Sequence, residues 1–223
     1  MIIACVFRES KTFTVDYVKV FSNVFAHYHP ECRQVCFTNY SKTNDFPRRM
    51  ERIPLRHHFD SWFSKMELFD PTVTAEDIFY SDLDNIVVAP LNNFFEYHSV
   101  NSSIPFMIND VDPKQKRLQS AVMYIPQSQK ATVWDQFVKD SNRVIRTANK
   151  FGDAKIIRES PEWKPQTYQD VFGSNCIVSY RHGWLKGIKK DVQIVCQHGD
   201  HEKPLNGKFN EVPLIREHFL RWK

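Results

Sequence analysis

The opening segment limits the fold more than any other part of the chain. Residues 2–7 (IIACVF) form a short apolar run that suits a buried strand. Polar residues 8–11 follow, and then Val15, Val18, Phe21, Val24 and Phe25 recur at helical spacing. Thr14 is placed to cap that helix, and His29-Pro30 ends it. Residues 34–38 (QVCFT) supply a second strand. Strand, helix, strand is the signature of a crossover unit with parallel strands.

The same alternation continues downstream. Residues 52–55 suit a third short strand, and residues 60–69 a helix that Pro71 stops. Residues 77–88 read as one long strand, followed by a short helix over 90–97 with Pro near its first turn. Residues 105–109, 120–125, 177–180 and 193–196 are further strand candidates, and 131–138, 166–172 and 212–223 carry helical patterns. Residues 139–165 are charged and poorly periodic. No Gly/Ser/Pro linker divides the chain, so 1–223 reads as one α/β domain with a mostly parallel sheet.

One strand has an unusual end. In IFYSDLDNIVVAP (78–90), Asp82 and Asp84 interrupt an otherwise apolar run. In a strand, residues two apart share a face, so the two carboxylates project together if the strand persists that far. Like charges this close repel unless a cation lies between them. Hard oxygen ligands favour Mg²⁺ or Mn²⁺, which keep positions open for phosphate oxygens. Ligands of open α/β sheets also bind outside the carboxyl ends of strands. A second polar cluster, HGDHEKP (198–204), follows the last strand candidate. There His198 can complete a metal shell, Gly199 allows close backbone approach, and Lys203 can neutralise a diphosphate. Each of these late residues alone reads better as part of a solvated loop; the combination points to a metal-diphosphate site.

Taken in order, FYSDLDNIVV, the preceding WFSKMELF and the late His-Gly followed by Lys-Pro resemble the GT-A glycosyltransferases. Retaining enzymes of the glycogenin and bacterial lipooligosaccharide galactosyltransferase type are the nearest likeness. The resemblance implies a GT-A fold with a Rossmann-like nucleotide-binding half. It implies a hexosyltransferase using a UDP-sugar donor, a Mn²⁺ or Mg²⁺ ion and an acceptor hydroxyl, with retention. Asp84 would then hold the ion, Asp82 the ion and the ribose, and His198 would be the late metal ligand. His201 stands as an alternative, because Asp200, His201 and Glu202 separate Gly199 from Lys203. Lys203 would grip the diphosphate, and Lys65 would reach the donor sugar or diphosphate. Gln169 and Asp170 would meet the sugar as the catalytic segment, and Phe7, Arg8 and Asn39 would border the base.

Composition narrows the setting. A net charge of +4 is too mild for a dedicated nucleic-acid binder. Five cysteines without a pairing or metal-site spacing suit free thiols in a reducing compartment. The apolar start is too short for a signal peptide, and no run approaches the ~20 residues that span a bilayer, so a cytoplasmic location is expected. The acceptor is expected to be a glycan, a lipid-linked glycan or a modified nucleic-acid base. Arg216, Arg221 and Lys223 beside Phe219 and Trp222 offer a peripheral membrane contact. Lys114, Lys116 and Arg117 with Arg143 and Arg146 offer a nucleic-acid contact. Two other readings share the paired acids: a metal-dependent nucleotidyltransferase or phosphohydrolase, and a catalytically silent nucleotide-sugar-binding module.

Overall fold

A computed structural model describes residues 1–42, 44–57, 59–110, 117–148, 152–197 and 213–222. The opening segment folds as its pattern predicts: β1 (Ile2–Phe7), α1 (Val15–Tyr28) and β2 (Gln34–Thr38). Two further strands are β3 (Met50–Ile53) and β4 (Ile78–Ser81), and β1 lies between β2 and β4, parallel to both. β6 (Phe106–Asn109), β7 (Leu118–Ile125) and β8 (Gln166–Thr167) complete a seven-stranded sheet in the order β3-β2-β1-β4-β7-β6-β8. Only β7 among these runs against the rest, as its antiparallel pairing with both β4 and β6 shows. The remaining strands, β5 (Ile86–Val87), β9 (Ile177–Ser179) and β10 (Ile194–Cys196), form a small second sheet.

Both faces of β1 are buried, which explains its unbroken apolar run. Ile3, Cys5 and Phe7 face α1, where Tyr17, Val18, Phe21, Val24 and Phe25 supply the covering stripe. Ile2 and Ala4 face the other way, towards Met66, Leu68 and Phe69 of a 3-10 helix over Ser61–Phe69. α3 (Lys130–Val138) and α5 (Gly152–Arg158) cover the same face through Val133, Trp134, Phe137 and Ile157. The five cysteines are free, and Cys5 and Cys36 are register partners on adjacent strands.

Several elements depart from the sequence pattern. The segment over 77–88 is two strands, β4 and β5, in different sheets. A turn separates them, closed by the Asn85 amide donating to the Asp82 carbonyl at 3.2 Å. The Asn85 side chain fixes the turn, donating to Ser81 Oγ at 3.0 Å and to the Ala121 carbonyl at 2.8 Å. The segment over 60–69 is 3-10 rather than α-helical. Residues 139–165 hold α4 (Ser141–Ala148) and α5, which bury Ala148, Ala154 and Ile157 and leave Val144, Ile145 and Ile156 partly buried. α2 (Asn92–Val100) begins two residues after Pro90, and α6 (Tyr168–Phe172) begins only after the short strand β8. No helix among the described residues is long and apolar enough to cross a membrane.

The tail forms α7 (Pro213–Trp222) and packs on α1. Phe219 is buried with its ring 5.6 Å from that of Tyr17, and Asn23 Nδ2 donates to the Trp222 carbonyl at 2.6 Å. The two aromatic residues expected to meet a membrane therefore lie against the protein. Leu220 remains exposed. Of the basic residues considered for nucleic acid, Lys114 and Lys116 lie outside the described residues. Arg117 pairs with Asp110 at 2.8 Å across the β6–β7 hairpin.

Candidate functional site

The chain leaves β1 in one direction to build β2 and β3, and later returns on its other side as β4. The crevice at the carboxyl ends of β1 and β4 is thus a topological switch point, the usual ligand site in an open α/β sheet. Phe7 and Arg8 lie at the end of β1, Asn39 after β2, and Ser81 and Asp82 at the end of β4. Because β7 is antiparallel, its beginning meets the end of β4, and the Asp82 amide donates to the Ala121 carbonyl at 2.8 Å. Gln169 and Asp170 follow β8 at the same edge.

The acid pair is displayed by the turn, not by a strand face. Asp84 is 4% exposed, whereas Asp82 keeps partial access to solvent. β10 ends beside them: burial raises the pKa of the Cys196 thiol well above its ordinary value, and the negative charges of Asp82 and Asp84 add to the shift. Gln197, next in the chain, is buried. The tertiary fold therefore brings the end of β10, Cys196, to the acid pair. His198, Gly199, His201 and Lys203 themselves lie outside the described residues.

Lys65 joins the acids from the other side. Side chains three apart nearly eclipse on a 3-10 helix, so Lys65 falls on one row with Trp62 and Leu68. Its Nζ lies 3.0 Å from Asp82 Oδ1 and 3.3 Å from Asp153 Oδ2. It also donates to Ser120 Oγ at 3.3 Å. Burial works against the ammonium charge, but the Asp153 and Asp82 carboxylates outweigh it and hold the Lys65 pKa above the ordinary lysine value. The Tyr80 hydroxyl donates to Asp82 Oδ1, and the Ser120 hydroxyl donates to Asp153 Oδ2. Burial and the Asp82 charge both raise the Tyr80 pKa, so it stays a phenol and a donor.

Asp153, Tyr80 and Ser120 carry no recognisable motif. Tyr80 has a weak signal, since it precedes Asp82 by only two residues at the end of β4. Asp153 has none: it comes from the charged stretch and reaches the site on the first turn of α5. Gly152 opens that helix at φ +62°, and a Cβ there would lie 3.2 Å from the Trp62 indole. Only glycine satisfies both the left-handed backbone and the close approach.

The other expected residues are positioned differently from one another. Phe7 is fully buried beneath Tyr40, ring centroids 5.4 Å apart, so a ligand at that edge would meet Tyr40 and the Phe7 backbone. Arg8 donates to the His57 carbonyl at 3.1 Å, and Asn39 is exposed. The Gln169 amide bridges two strand ends, accepting from the Asn109 amide at 3.0 Å and donating to the Ile177 carbonyl at 3.4 Å. Asp170 is exposed on α6, its amide capped by Thr167 Oγ1 at 3.1 Å.

No cluster of three or more His, Cys, Asp or Glu side chains able to hold a metal occurs among the described residues. The donor set nevertheless fits a hard divalent ion. Asp82 and Asp84 supply two carboxylates, and such ions commonly complete their shells with phosphate oxygens and water. Asn85 Oδ1, next to Asp84, is buried and has no hydrogen-bond partner among the described residues.

No protein-family model matches the chain, and no curated protein matches its sequence. Solved structures do. The galactosyltransferase LgtC, in complex with donor and acceptor sugar analogues, matches with a TM-score of 0.71 at 12% identity, over 100% of this chain and 96% of that one. The chain has the GT-A glycosyltransferase fold. Glycosyltransferase GlyE of Streptococcus pneumoniae TIGR4 matches at TM-score 0.66 and 15% identity, over 97% of this chain and 60% of GlyE. The bifunctional glycosyltransferase WbbM matches at 0.58 and 11%, over 99% of this chain and 51% of WbbM. The acid turn follows β4 of the seven-stranded sheet, beside the single reversed strand β7.

Proposed function

We propose that this chain is a metal-dependent glycosyltransferase. It transfers a hexose from a nucleotide sugar, with a UDP-sugar as donor, to an acceptor hydroxyl with retention of configuration. The observation that carries this reading is the Asp82–Asp84 turn at the switch point, with the buried Lys65 ammonium 3.0 Å from Asp82. A nucleoside diphosphate leaving group needs positive charge where its own negative charge grows, and that edge combines a cation with a place for another.

Asp82 and Asp84, with His198 from the segment after β10, would hold Mn²⁺ or Mg²⁺, which would supply Lewis-acid stabilisation of the leaving diphosphate. Lys65 and Lys203 add fixed positive charge at the same diphosphate. Phe7, Arg8 and Asn39 border the base, and Gly199 lets the backbone approach the phosphates. Gln169 still has one amide hydrogen and one acceptor position beyond its two backbone bonds, enough to orient a sugar hydroxyl. Asp170, next in the chain and exposed on α6, would steady the sugar as positive charge develops at the anomeric carbon. The acceptor is a glycan or lipid-linked glycan hydroxyl.

The test is a panel of nucleotide sugars with Mn²⁺, followed by detection of released nucleotide. Turnover of a UDP-hexose is expected, with Asp84→Asn folded but at least ~100-fold slower, the scale lost with one electrostatic stabiliser. Release from a nucleoside triphosphate and from no nucleotide sugar would instead identify a nucleotidyltransferase or phosphohydrolase. Tight UDP binding without any turnover would identify a silent binding module.

A further inference from the structure

The site holds a second buried acid that ion ligation does not require. Asp153 is 5% exposed and faces Lys65, not the turn that carries Asp84. Lys65 meanwhile covers both oxygens of Asp82, at 3.0 Å from Oδ1 and 3.4 Å from Oδ2. We propose that Lys65 and the divalent ion compete for Asp82, and that Asp153 is the positioning residue that holds the ammonium when the ion takes its place. This inference rests on the reading of Asp82 and Asp84 as ion ligands and deepens it.

The geometry sets up the competition. An ion bound to an Asp82 oxygen at ~2.1 Å would lie within a few ångströms of Nζ, and two positive charges so close repel strongly in a partly buried site. Lys65 must therefore turn away from Asp82. An ammonium left in that pocket without a partner carries a heavy desolvation penalty. Asp153 removes the penalty because it is already in contact, and it does not move: the Ser120 hydroxyl holds Oδ2 and the first turn of α5 fixes its backbone. The Tyr80 ring lies under the ammonium, 5.5 Å from Nζ. Turned towards Asp153, Lys65 remains at the edge of the crevice, where an incoming diphosphate adds a third anionic partner.

Titration with Mn²⁺ alone, followed by electron paramagnetic resonance without any donor, tests this directly. Lys65→Met should bind Mn²⁺ about tenfold more tightly than the unmodified protein, the change that ~1.4 kcal/mol produces. Lys65→Arg, which keeps the charge, should not tighten it. Asp153→Asn should weaken Mn²⁺ binding about tenfold when Lys65 is present, but about threefold or less in the Lys65→Met background. That non-additivity is what a positioning role demands and a purely local loss of charge does not give. Melting curves select variants that are folded at the assay temperature, and Ser120→Ala, which frees Asp153 without removing a charge, provides a second route to the same weakening. Unchanged Mn²⁺ affinity in Lys65→Met, or equal Asp153→Asn effects in both backgrounds, overturns the inference while leaving the ion site intact. Failure of the unmodified protein to bind Mn²⁺ overturns the ion site and the inference together.

Discussion

At the scale of single residues, the site depends on side chains that touch no ligand. Glu67 is 1% exposed and accepts from the amides of Arg56 and His57, at 2.5 and 3.1 Å. The adjoining Arg8 guanidinium takes the His57 carbonyl. One carboxylate thus ties the loop before the 3-10 helix to the helix that carries Lys65. Replacing Glu67 with Gln leaves one acceptor and turns an amide N–H₂ towards a backbone N–H. The expected cost is about 2 kcal/mol, the range for hydrogen bonds to a charged group, measured by urea unfolding. Lys65 would lose its alignment with Asp82 at the same time, so Mn²⁺ binding should change in the same variant. Nothing in the motif WFSKMELF announces this. Glu67 reads as one more surface acid until the fold places two amides against it.

At the scale of elements, local pattern and tertiary packing divide the work unevenly. β1, α1 and β2 are legible because each has a clean period and a buried face. α5 is not, because a seven-residue helix with three charged side chains has too few apolar positions to establish a period. It is held in place by packing on the 3-10 helix and β7, and by Gly152 beneath Trp62. The turn between β4 and β5 was hidden for the opposite reason: apolar residues on both sides of Asp82 and Asp84 imitate one continuous strand. α7 shows what packing adds to an amphipathic pattern. Phe219 is 1% exposed against α1, so Phe219→Ala should cost ~3–5 kcal/mol, the scale for a large core truncation, read as a lowered urea midpoint. Leu220→Ala, at an exposed position of the same helix, should change stability by ~0.5 kcal/mol or less.

At the scale of the whole molecule, burial of neutral histidine makes stability depend on pH. His98 stacks on Tyr124 with ring centroids 3.9 Å apart, and its Nε2 shares a hydrogen bond with the Tyr168 hydroxyl at 3.0 Å. Burial pushes its pKa down to about 3. In the unfolded chain the same imidazole titrates near ~6.5. Below ~6.5 the unfolded chain therefore binds a proton that the folded chain refuses, and stability falls as pH is lowered through that window. At pH ~5 the loss from His98 alone is about 2 kcal/mol by this linkage. His218 adds to the same slope: burial and, secondarily, Arg221 lower its pKa to about 4. Denaturant unfolding at pH 5 and pH 7.5 measures the effect. His98→Phe should be less stable at pH 7.5, having lost its bond to Tyr168, but should show a shallower acid slope.

The sequence by itself determined the α/β architecture with its mostly parallel sheet, the opening strand-helix-strand unit and the acid pair. These are local properties, written in periods of two and 3.6 residues and in two carboxylates where apolar residues are expected. It also supplied Lys65, as part of a motif. Only the tertiary structure decided that the acids sit on a turn, that β10 ends beside them, and that Asp153 faces Lys65. Those residues lie far apart in the chain, and no local free energy links them. They meet because β4 and β7 end and begin at one edge of the sheet and α5 packs back against β7 and the 3-10 helix, a consequence of burying both faces of the sheet at once.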